Sequence, residues 1–184
     1  MTGGKTIREL IEEFGADLTS SHDERISNEY NVQFYLGYCL YKNSYEIKLE
    51  KDARGSGEAI DLIVVNNEGE QSGIEIKCPL GQGGQPQYMA SVLADINYLE
   101  KLKYEDKKIK KGFFFMLTNN KAYWTGKGDE GNQNLYRCFC NNKDDEIIIP
   151  RKIEWKNGSI VLSNQYRSKW ISGGNNFRYF LIEV

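Results

Sequence analysis

Hydrophobic and polar residues follow two different periods in the first part of the chain. Apolar residues recur at helical spacing over residues 7–14 and again over 27–40, which predicts two helices separated by a polar connection at 16–25. Ser27 can cap the second helix. Residues 45–50 then alternate between apolar and charged side chains, which predicts a half-buried strand.

Two further strands are expected at 61–65 and 73–78, because the sequence between them, NNEGEQS, suits a hairpin turn. A long helix from about Pro86 follows, since residues 89–102 place apolar side chains at i, i+3 and i+4 spacing. Residues 113–117 form a short apolar run of buried-strand type. A strand, a helix and another strand in this order predict a crossover between parallel strands.

The last third of the chain, about residues 119–184, is rich in turns and strand-like segments. These segments are KAYW, LYRCFC, EIIIP, KIEW, SIVL and FRYFLIEV. They predict a C-terminal β-rich extension whose strand order the sequence leaves open. No linker rich in Pro, Gly and Ser divides the chain after residue 26, so we expect one domain over residues 1–184.

The composition restricts the possible chemistry. Since 24 basic residues stand against 26 acidic ones, net charge alone gives no reason to expect nucleic acid or membrane as a partner. His22 is the only histidine, which disfavours histidine-based catalysis and most zinc sites. No apolar run approaches the roughly 18 residues of a membrane span, and the first residues lack a signal-peptide core. We therefore expect a cytoplasmic protein without a membrane partner.

The hairpin carries an unusual set of charges. With the turn centred on Glu68, Asp61 lies directly opposite Glu75, and strand alternation places both carboxylates on one face with Lys77. The opposite face is wholly apolar, with Leu62, Val64, Ile74, Ile76 and Cys78. Facing carboxylates repel each other, so the arrangement requires a compensating cation.

Two interpretations of these charges are open. Asp61, Glu75 and Lys77 can be the solvent-exposed face of an amphipathic hairpin. Alternatively, the two carboxylates hold Mg²⁺ or Mn²⁺, which prefer oxygen ligands. A lysine on the same face can then stabilise an attacking hydroxide or the negative charge that develops on phosphorus.

The order of segments around these residues resembles a known family. Over residues 27–118, a helix with an early glutamate is followed by a strand, a loop, IDLIVV, a turn, IEIKCPL, a helix and a strand. This order resembles the core of the PD-(D/E)xK nuclease superfamily, which includes many restriction endonucleases and archaeal Holliday junction resolvases. The resemblance implies an α/β fold with a restriction endonuclease-like αβββαβ core, in which a mixed sheet is flanked by helices. It also implies that Asp61, Glu75 and Lys77 surround Mg²⁺, although Ala59 and Ile60 stand where the name-giving motif has proline.

The resemblance suggests Glu29 as a third metal ligand and catalytic residue, because family members often carry a glutamate near the start of the first core helix. A first-turn glutamate can equally serve the helix dipole. Glu12, Glu13 and Glu24 are alternatives for the same role.

Other polar residues near the motif are candidates for contact with substrate. Ser56 resembles a serine in a mobile, glycine-flanked loop of the resolvases, and Gln85 or Gln87 resembles a glutamine at the start of the helix after the motif. We assign Gln85 to catalysis and Gln87 to substrate binding. Lys108 and Lys111 belong to a lysine cluster that can contact phosphate. Each of these residues can also be an ordinary solvent-exposed polar residue.

These observations predict a Mg²⁺-dependent endonuclease that hydrolyses DNA in restriction, repair, junction resolution or defence, with Mn²⁺ as a possible substitute. Double-strand cleavage would suggest a homodimer, since a single metal site cuts one strand. The alternatives are a catalytically inactive DNA-binding or protein-interaction module on the same fold, and a β-rich scaffold with no nucleic-acid role.

Overall fold

The structure is a computed structural model that describes residues 4–20, 26–52, 59–81, 83, 85–140, 145–173 and 176–184, with only the backbone at 50–52. Five helices are present in these ranges: α1 (Ile7–Ser20), α2 (Glu29–Lys42), α3 (Gln85–Glu105), α4 (Ala122–Thr125) and α5 (Gln133–Phe139). The strands are β1 (Glu46–Asp52), β2 (Ala59–Val65), β3 (Gln71–Lys77), β4 (Ile109–Thr118), β5 (Glu146–Ile149), β6 (Lys152–Trp155), β7 (Gly158–Val161), β8 (Tyr166–Lys169), β9 (Ile171–Ser172) and β10 (Arg178–Glu183).

Six strands form a mixed central sheet in the order β1-β2-β3-β4-β10-β9. The strands β3 and β4 are parallel, as predicted from the helical connection between them, and the other neighbours are antiparallel. Strands β5 and β8 pair separately, as do β6 and β7. The protein therefore has a mixed α/β fold with a mixed sheet flanked by helices, which confirms the coarse class expected from the sequence.

One face of the sheet packs against α1 and α2. The apolar hairpin face predicted from strand alternation lies here, and its residues Leu62, Val64, Ile74 and Ile76 are fully buried among side chains of both helices. The turn signals and the alternation of residues therefore located this face correctly.

Helix α3 covers the other face. Its apolar residues at helical spacing are buried as predicted, and they are Met89, Val92, Leu93, Ile96, Leu99 and Leu102. They pack over Ile63 and Val65 of β2. The hairpin face that carries Asp61 and Glu75 is therefore covered by a helix along much of its length.

Two predicted boundaries in the N-terminal region are wrong. The expected polar connection at 16–25 begins too early, because α1 continues to Ser20. Leu18 extends the buried stripe one turn beyond Phe14, and the Thr19 hydroxyl donates a hydrogen bond to Gly15 O at 3.0 Å. The cap of α2 is Asn28 rather than Ser27, since the Asn28 side chain accepts the backbone N–H of Asn31.

The C-terminal third differs from the predicted β-rich extension. KAYW and LYRCFC, expected as strands, lie largely in the helices α4 and α5. In α5, Leu135 and Cys138 are buried at helical spacing, so its core contacts favour a helix. Strand β10 is not peripheral either, because it pairs with β4 inside the central sheet. None of the helices in the described ranges is long and apolar enough to cross a membrane.

Candidate active site between the sheet and helix α3

The hairpin of β2 and β3 brings the two predicted carboxylates together. The strands pair from Leu62 with Ile74 to Val65 with Gln71, which is the register expected for a turn centred on Glu68. Gly69 has a φ of 80°, a conformation that glycine adopts without strain, and it completes the turn. One step beyond the pair of Leu62 and Ile74, the same register places Asp61 opposite Glu75.

Asp61 is held at the point where the hydrogen-bonded pairing of the two strands ends. Its carboxylate oxygen Oδ2 accepts the backbone N–H of Ile76 at 2.7 Å, across the hairpin. Its backbone oxygen accepts the Nε2 group of Gln33, also at 2.7 Å, from the buried side of α2. Side-chain hydrogen bonds therefore fix both the backbone and the carboxylate of Asp61.

Glu75 is the most buried carboxylate of the site, with 5% of the residue exposed. Burial raises the pKa of Glu75 to about 10, and the neighbouring charges of Asp61 and Asp95 add to the effect. A hydrogen bond between the Glu75 and Asp61 side chains acts in the same direction. Two carboxyl groups can share a hydrogen bond only when one of them holds a proton, and the raised pKa assigns this proton to Glu75 in the metal-free protein.

Lys77 is the cation of the cluster. Its Nζ atom lies 3.1 Å from Asp95 Oδ2 and 3.7 Å from Glu29 Oε1. Burial lowers the pKa of Lys77, but the charges of Asp95 and Glu29 outweigh burial, so that the pKa is raised overall. Lys77 therefore remains a charged ammonium group although only 18% of its side chain is exposed.

Glu29 reaches the same cluster from the first turn of α2. Its Oε2 atom accepts the backbone N–H of Cys78 at 3.1 Å, directly after β3 ends. Burial raises the pKa of Glu29, while Lys77 and the hydrogen bond from Cys78 partly offset it. Of the alternatives named from the sequence, Glu12 pairs with Arg8 and Glu13 pairs with Lys5, both on the α1 side of the molecule. Glu24 lies outside the described residues.

Asp95 of α3 belongs to the cluster, and the sequence analysis missed it. Burial raises the pKa of Asp95 to about 6, against the opposing effect of Lys77. The sequence did contain a signal, because Asp95 stands three residues after Val92 and four before Leu99, both fully buried. A carboxylate at such a position on a helix faces the packed side rather than solvent.

The remaining candidate residues are distributed around the molecule. Gln85 is the first residue of α3 and is half-buried. Gln87 lies two residues later in the same turn and is exposed. Lys111 pairs with Ser72 across the parallel strands, whereas Lys77 pairs with Met116. At about 3.3 Å per residue, Lys111 is thus roughly 16 Å along the sheet from Lys77.

Lys108 lies in the turn before β4, beyond Lys111, and Lys111 forms an ion pair with Glu183 at 3.0 Å. The structure does not bring these two lysines next to the carboxylates. Ser56 lies outside the described residues. Its predicted role, like the roles of the two glutamines and the two lysines, stays a prediction.

Among the residues that the structure describes, the cluster thus combines four carboxyl groups, from Glu29, Asp61, Glu75 and Asp95, with one ammonium group, from Lys77. The cluster is not the solvent-exposed face of an amphipathic hairpin, because Glu75 is buried and α3 covers the same face. Across the ranges that the structure describes, no three His, Cys, Asp or Glu side chains are arranged as a ready metal-binding group. The carboxyl groups are instead stabilised by the proton on Glu75, by the ion pairs with Lys77 and by the backbone N–H groups of Ile76 and Cys78.

Comparisons of the chain with protein-family profiles, curated protein sequences and solved structures found no significant match. The function is therefore inferred from the side chains of this cluster and from the order of the elements that hold them.

Proposed function

We propose that the protein is a divalent-metal-dependent endonuclease that hydrolyses phosphodiester bonds in DNA. The observation that carries the proposal is the carboxylate pair of the half-buried Asp61 and the buried Glu75 on adjacent strands, with Lys77 on the same strand as Glu75. Buried carboxylates that outnumber their cations destabilise a fold. Proteins keep such groups where a reaction or a ligand uses them.

The arrangement of the elements supports the same proposal. Helix α2, the strands β1, β2 and β3, helix α3 and strand β4 follow each other in the order helix, three strands, helix, strand. The first three strands are antiparallel, and β4 is parallel to β3. This is the αβββαβ order that the resemblance to PD-(D/E)xK nucleases implies, and we propose a restriction endonuclease-like core on this basis.

The donor set suits Mg²⁺ or Mn²⁺. Asp61 and Glu75 would hold the ion, and Glu29 would join them by exchanging its contact with Cys78 N–H for the metal. Burial and then the negative charges of Asp61 and Asp95 raise the pKa of Glu75, and a bound divalent ion would oppose both effects by stabilising the ionised carboxylate. Mg²⁺ commonly uses one or two carboxylates and keeps several waters, so a complete protein cage is not required. When bound, the ion supplies Lewis-acid stabilisation of the phosphate oxygens.

The side chains of the chain itself then bind and orient the reactants. Lys77 offers a permanent positive charge at the edge of the cluster, where it can position the attacking water and stabilise negative charge that develops on the phosphate. Asp95 and Glu29 hold the ammonium group in place. Gln85, at the start of α3, is the proposed polar contact for the water or the phosphodiester.

The test is a cleavage assay with supercoiled and linear DNA in Mg²⁺, Mn²⁺ or EDTA. Asp61→Ala and Lys77→Ala should each lower the cleavage rate by a factor of about 10² to 10³. Lys101→Ala, which removes an exposed lysine of α3, is the matched control and should cleave like the wild type. Equal rates for wild type and both site variants, or cleavage confined to RNA, would overturn the proposal.

A second candidate is a catalytically inactive DNA-binding or protein-interaction module on the same fold. The observation that favours it is that protonation of Glu75 and the ion pairs of Lys77 already stabilise the cluster without a metal. Calorimetry separates the two proposals. The module predicts no heat of Mn²⁺ binding together with DNA binding that is unchanged by EDTA, whereas the nuclease predicts Mn²⁺ binding that Asp61→Ala abolishes.

A further inference from the structure

An aromatic stripe lies on the outer surface of α2 beside the edge strand β1. We define it as Tyr30, Phe34, Tyr38 and Tyr41 of the helix together with Leu49 of the strand. The four aromatic residues recur at i, i+4, i+8 and i+11, so they share one face of the helix. Between 55% and 69% of each of the five residues is exposed.

The stripe borders a groove of about 400 Å³ between the helix and the strand. Gly37 leaves space in the middle of the helix, with Phe34 and Tyr38 on either side and Ile47 on the strand. Glu46 is the one charged residue among those that line it. The groove is therefore an apolar slot with room for large side chains.

The charges around the stripe disfavour nucleic acid as its partner. Surfaces that stack bases also carry Lys or Arg side chains that follow the phosphates. None of the described residues lining the groove is basic, and the carboxylate of Glu46 forms an ion pair with Lys48 at 3.1 Å, so this lining offers a phosphate backbone no unpaired positive charge. An anionic lipid surface is disfavoured for the same reason.

The size of the stripe fits a protein partner. At about 200 Å² per large side chain, the exposed fractions correspond to roughly 600 Å² of solvent-accessible stripe surface. This area is at the upper end of the range for the largest apolar patch on a monomeric protein. A stable interface buries about 800 Å² on each partner. The stripe and its immediate rim therefore supply close to the full area of one side of a dimer interface.

The stripe is also suited to pairing with itself. A two-fold axis near Gly37 would place the α2 helices of two copies antiparallel to each other. Phe34 and Tyr38 of each copy would then pack into the groove of the other copy. Contact between identical patches needs no complementary charges, which agrees with the uncharged character of the stripe. We propose that this surface is the interface of a homodimer, a proposal that does not depend on the nuclease function.

The dimer is tested by sedimentation velocity of the full chain at about 1 to 100 μM, the range in which interfaces of this size associate. The wild type should shift from monomer to dimer as the concentration rises. Phe34→Asp and Tyr38→Asp should each weaken the association by a factor of about 30 or more, as expected at the centre of an interface. Tyr104→Asp places the same charge on the most exposed aromatic residue outside the stripe and should leave the dimer intact.

The proposal is wrong if the wild type is a monomer throughout this range, a result that needs no variant. It is also wrong if the wild type dimerises and both stripe variants associate equally well. A stripe variant that loses single-stranded DNA binding while the wild type stays monomeric would assign the surface to nucleic acid instead. Sedimentation reports the association state of the protein and not its activity. Failure of the dimer proposal can therefore be distinguished from failure of the nuclease proposal.

Discussion

At the scale of single residues, the balance of charge around Glu75 determines how the protein responds to pH. The pKa of Glu75 rises from about 4.5, the ordinary value for a glutamate, to about 10 in the folded chain, first because of burial and then because of Asp61 and Asp95. A folded state that binds a proton more tightly than the unfolded state is favoured at low pH. Without a metal, this contribution is complete below the unfolded pKa and is lost as the pH rises from about 4.5 towards 10.

Glu75→Gln should therefore stabilise the metal-free protein increasingly as the pH rises. The amide is uncharged at every pH and can still donate a hydrogen bond to Asp61. The difference in the free energy of unfolding between variant and wild type should grow between pH 5 and pH 9, by at most about 1.4 kcal/mol per pH unit. Urea denaturation in EDTA at several pH values measures it.

Glu68→Gln is the control for this experiment, because Glu68 is exposed in the hairpin turn. Measured under the same conditions, it separates an effect that is specific to Glu75 from the general effect of removing one glutamate. A Glu75→Gln protein whose stability difference is constant over the range would show that Glu75 is ionised in the native state.

Asp95 should control the charge of Lys77. The charges of Asp95, Glu29 and Asp61 raise the pKa of Lys77, and the contribution of Asp95 is the largest of the three, so Asp95→Asn should lower that pKa. NMR titration of the lysine side chain reports the change directly. If the protein is a nuclease, the cleavage rate should fall about tenfold at neutral pH, by analogy with other charged groups that support a catalytic residue.

Asp95→Glu and Glu29→Gln are the comparisons for Asp95. The first keeps the carboxylate and should restore the Lys77 pKa in large part. The second removes the partner at 3.7 Å and should lower the pKa less than Asp95→Asn does. A larger effect of Glu29→Gln would show that Glu29, and not Asp95, holds Lys77.

The predictability of the site also differs from residue to residue. The sequence placed Asp61 opposite Glu75 because the turn and strand alternation are local and fix a hairpin register. It missed Asp95 because the contact with Lys77 depends on how α3 lies across the sheet. That packing is set by apolar residues along the whole helix, so no short motif reports it.

At the scale of elements, two helical glycines should respond in opposite directions to alanine. A Cβ atom at Gly15 of α1 would lie 2.7 Å from the Tyr179 ring of β10, whereas a Cβ at Gly37 of α2 would lie 3.5 Å from Ile47. Gly15→Ala should cost about 1 to 3 kcal/mol of stability through the clash. Gly37→Ala should add about 0.5 to 1 kcal/mol from helix propensity.

Thermal or urea unfolding measures the stability of both glycine variants. The protein is kept dilute, so that association is negligible. Tyr179→Leu shortens the opposing side chain, so the additional effect of Gly15→Ala should be smaller in that background. Equal destabilisation by the two glycine variants would argue against the packing of α1 on β10.

The elements whose types were predicted incorrectly share a physical cause. KAYW and LYRCFC are short, and a short apolar run satisfies both a strand and a helix period. The buried positions Leu135 and Cys138 select the helix only when the neighbouring elements are in place. The long helix α3 was predicted correctly because six apolar residues repeat the same period over several turns.

At the scale of the whole molecule, the C-terminal third completes the central sheet. The sequence predicted one domain, with a nuclease-like core over about residues 27–118 and a C-terminal β-rich extension over about 119–184. In the structure, β10 pairs with β4 from Arg178 opposite Thr118 to Glu183 opposite Phe113. Its residues Tyr179 and Phe180 pack on opposite faces of the sheet, in the two separate apolar clusters. β10 and β4 are at least 60 residues apart in the chain, so the local pattern of apolar and polar residues does not predict that they pair.

Helix α3 is joined to the same region by a buried carboxylate. Glu100 accepts the backbone N–H groups of Ser163 and Asn164 at 2.7 and 3.0 Å, and it accepts the Tyr166 hydroxyl at 2.7 Å. The segment before β8 is thus tied to the helix that covers the candidate site. The pairing of β10 with β4 and the hydrogen bonds of Glu100 therefore make the core depend on residues after 118.

A fragment of residues 1–118 should consequently fail to fold. Without β10, the edge of β4 and the buried rings of Phe114 and Phe115 are exposed to water, at a cost of several kcal/mol. Circular dichroism should show no cooperative thermal transition for the fragment. In the full chain, Phe180→Asp places a charge at a fully buried position of β10 and should destabilise strongly, whereas Tyr104→Asp should not. A fragment with a cooperative transition and native-like near-ultraviolet signals would show that the sheet is stable without its C-terminal strand.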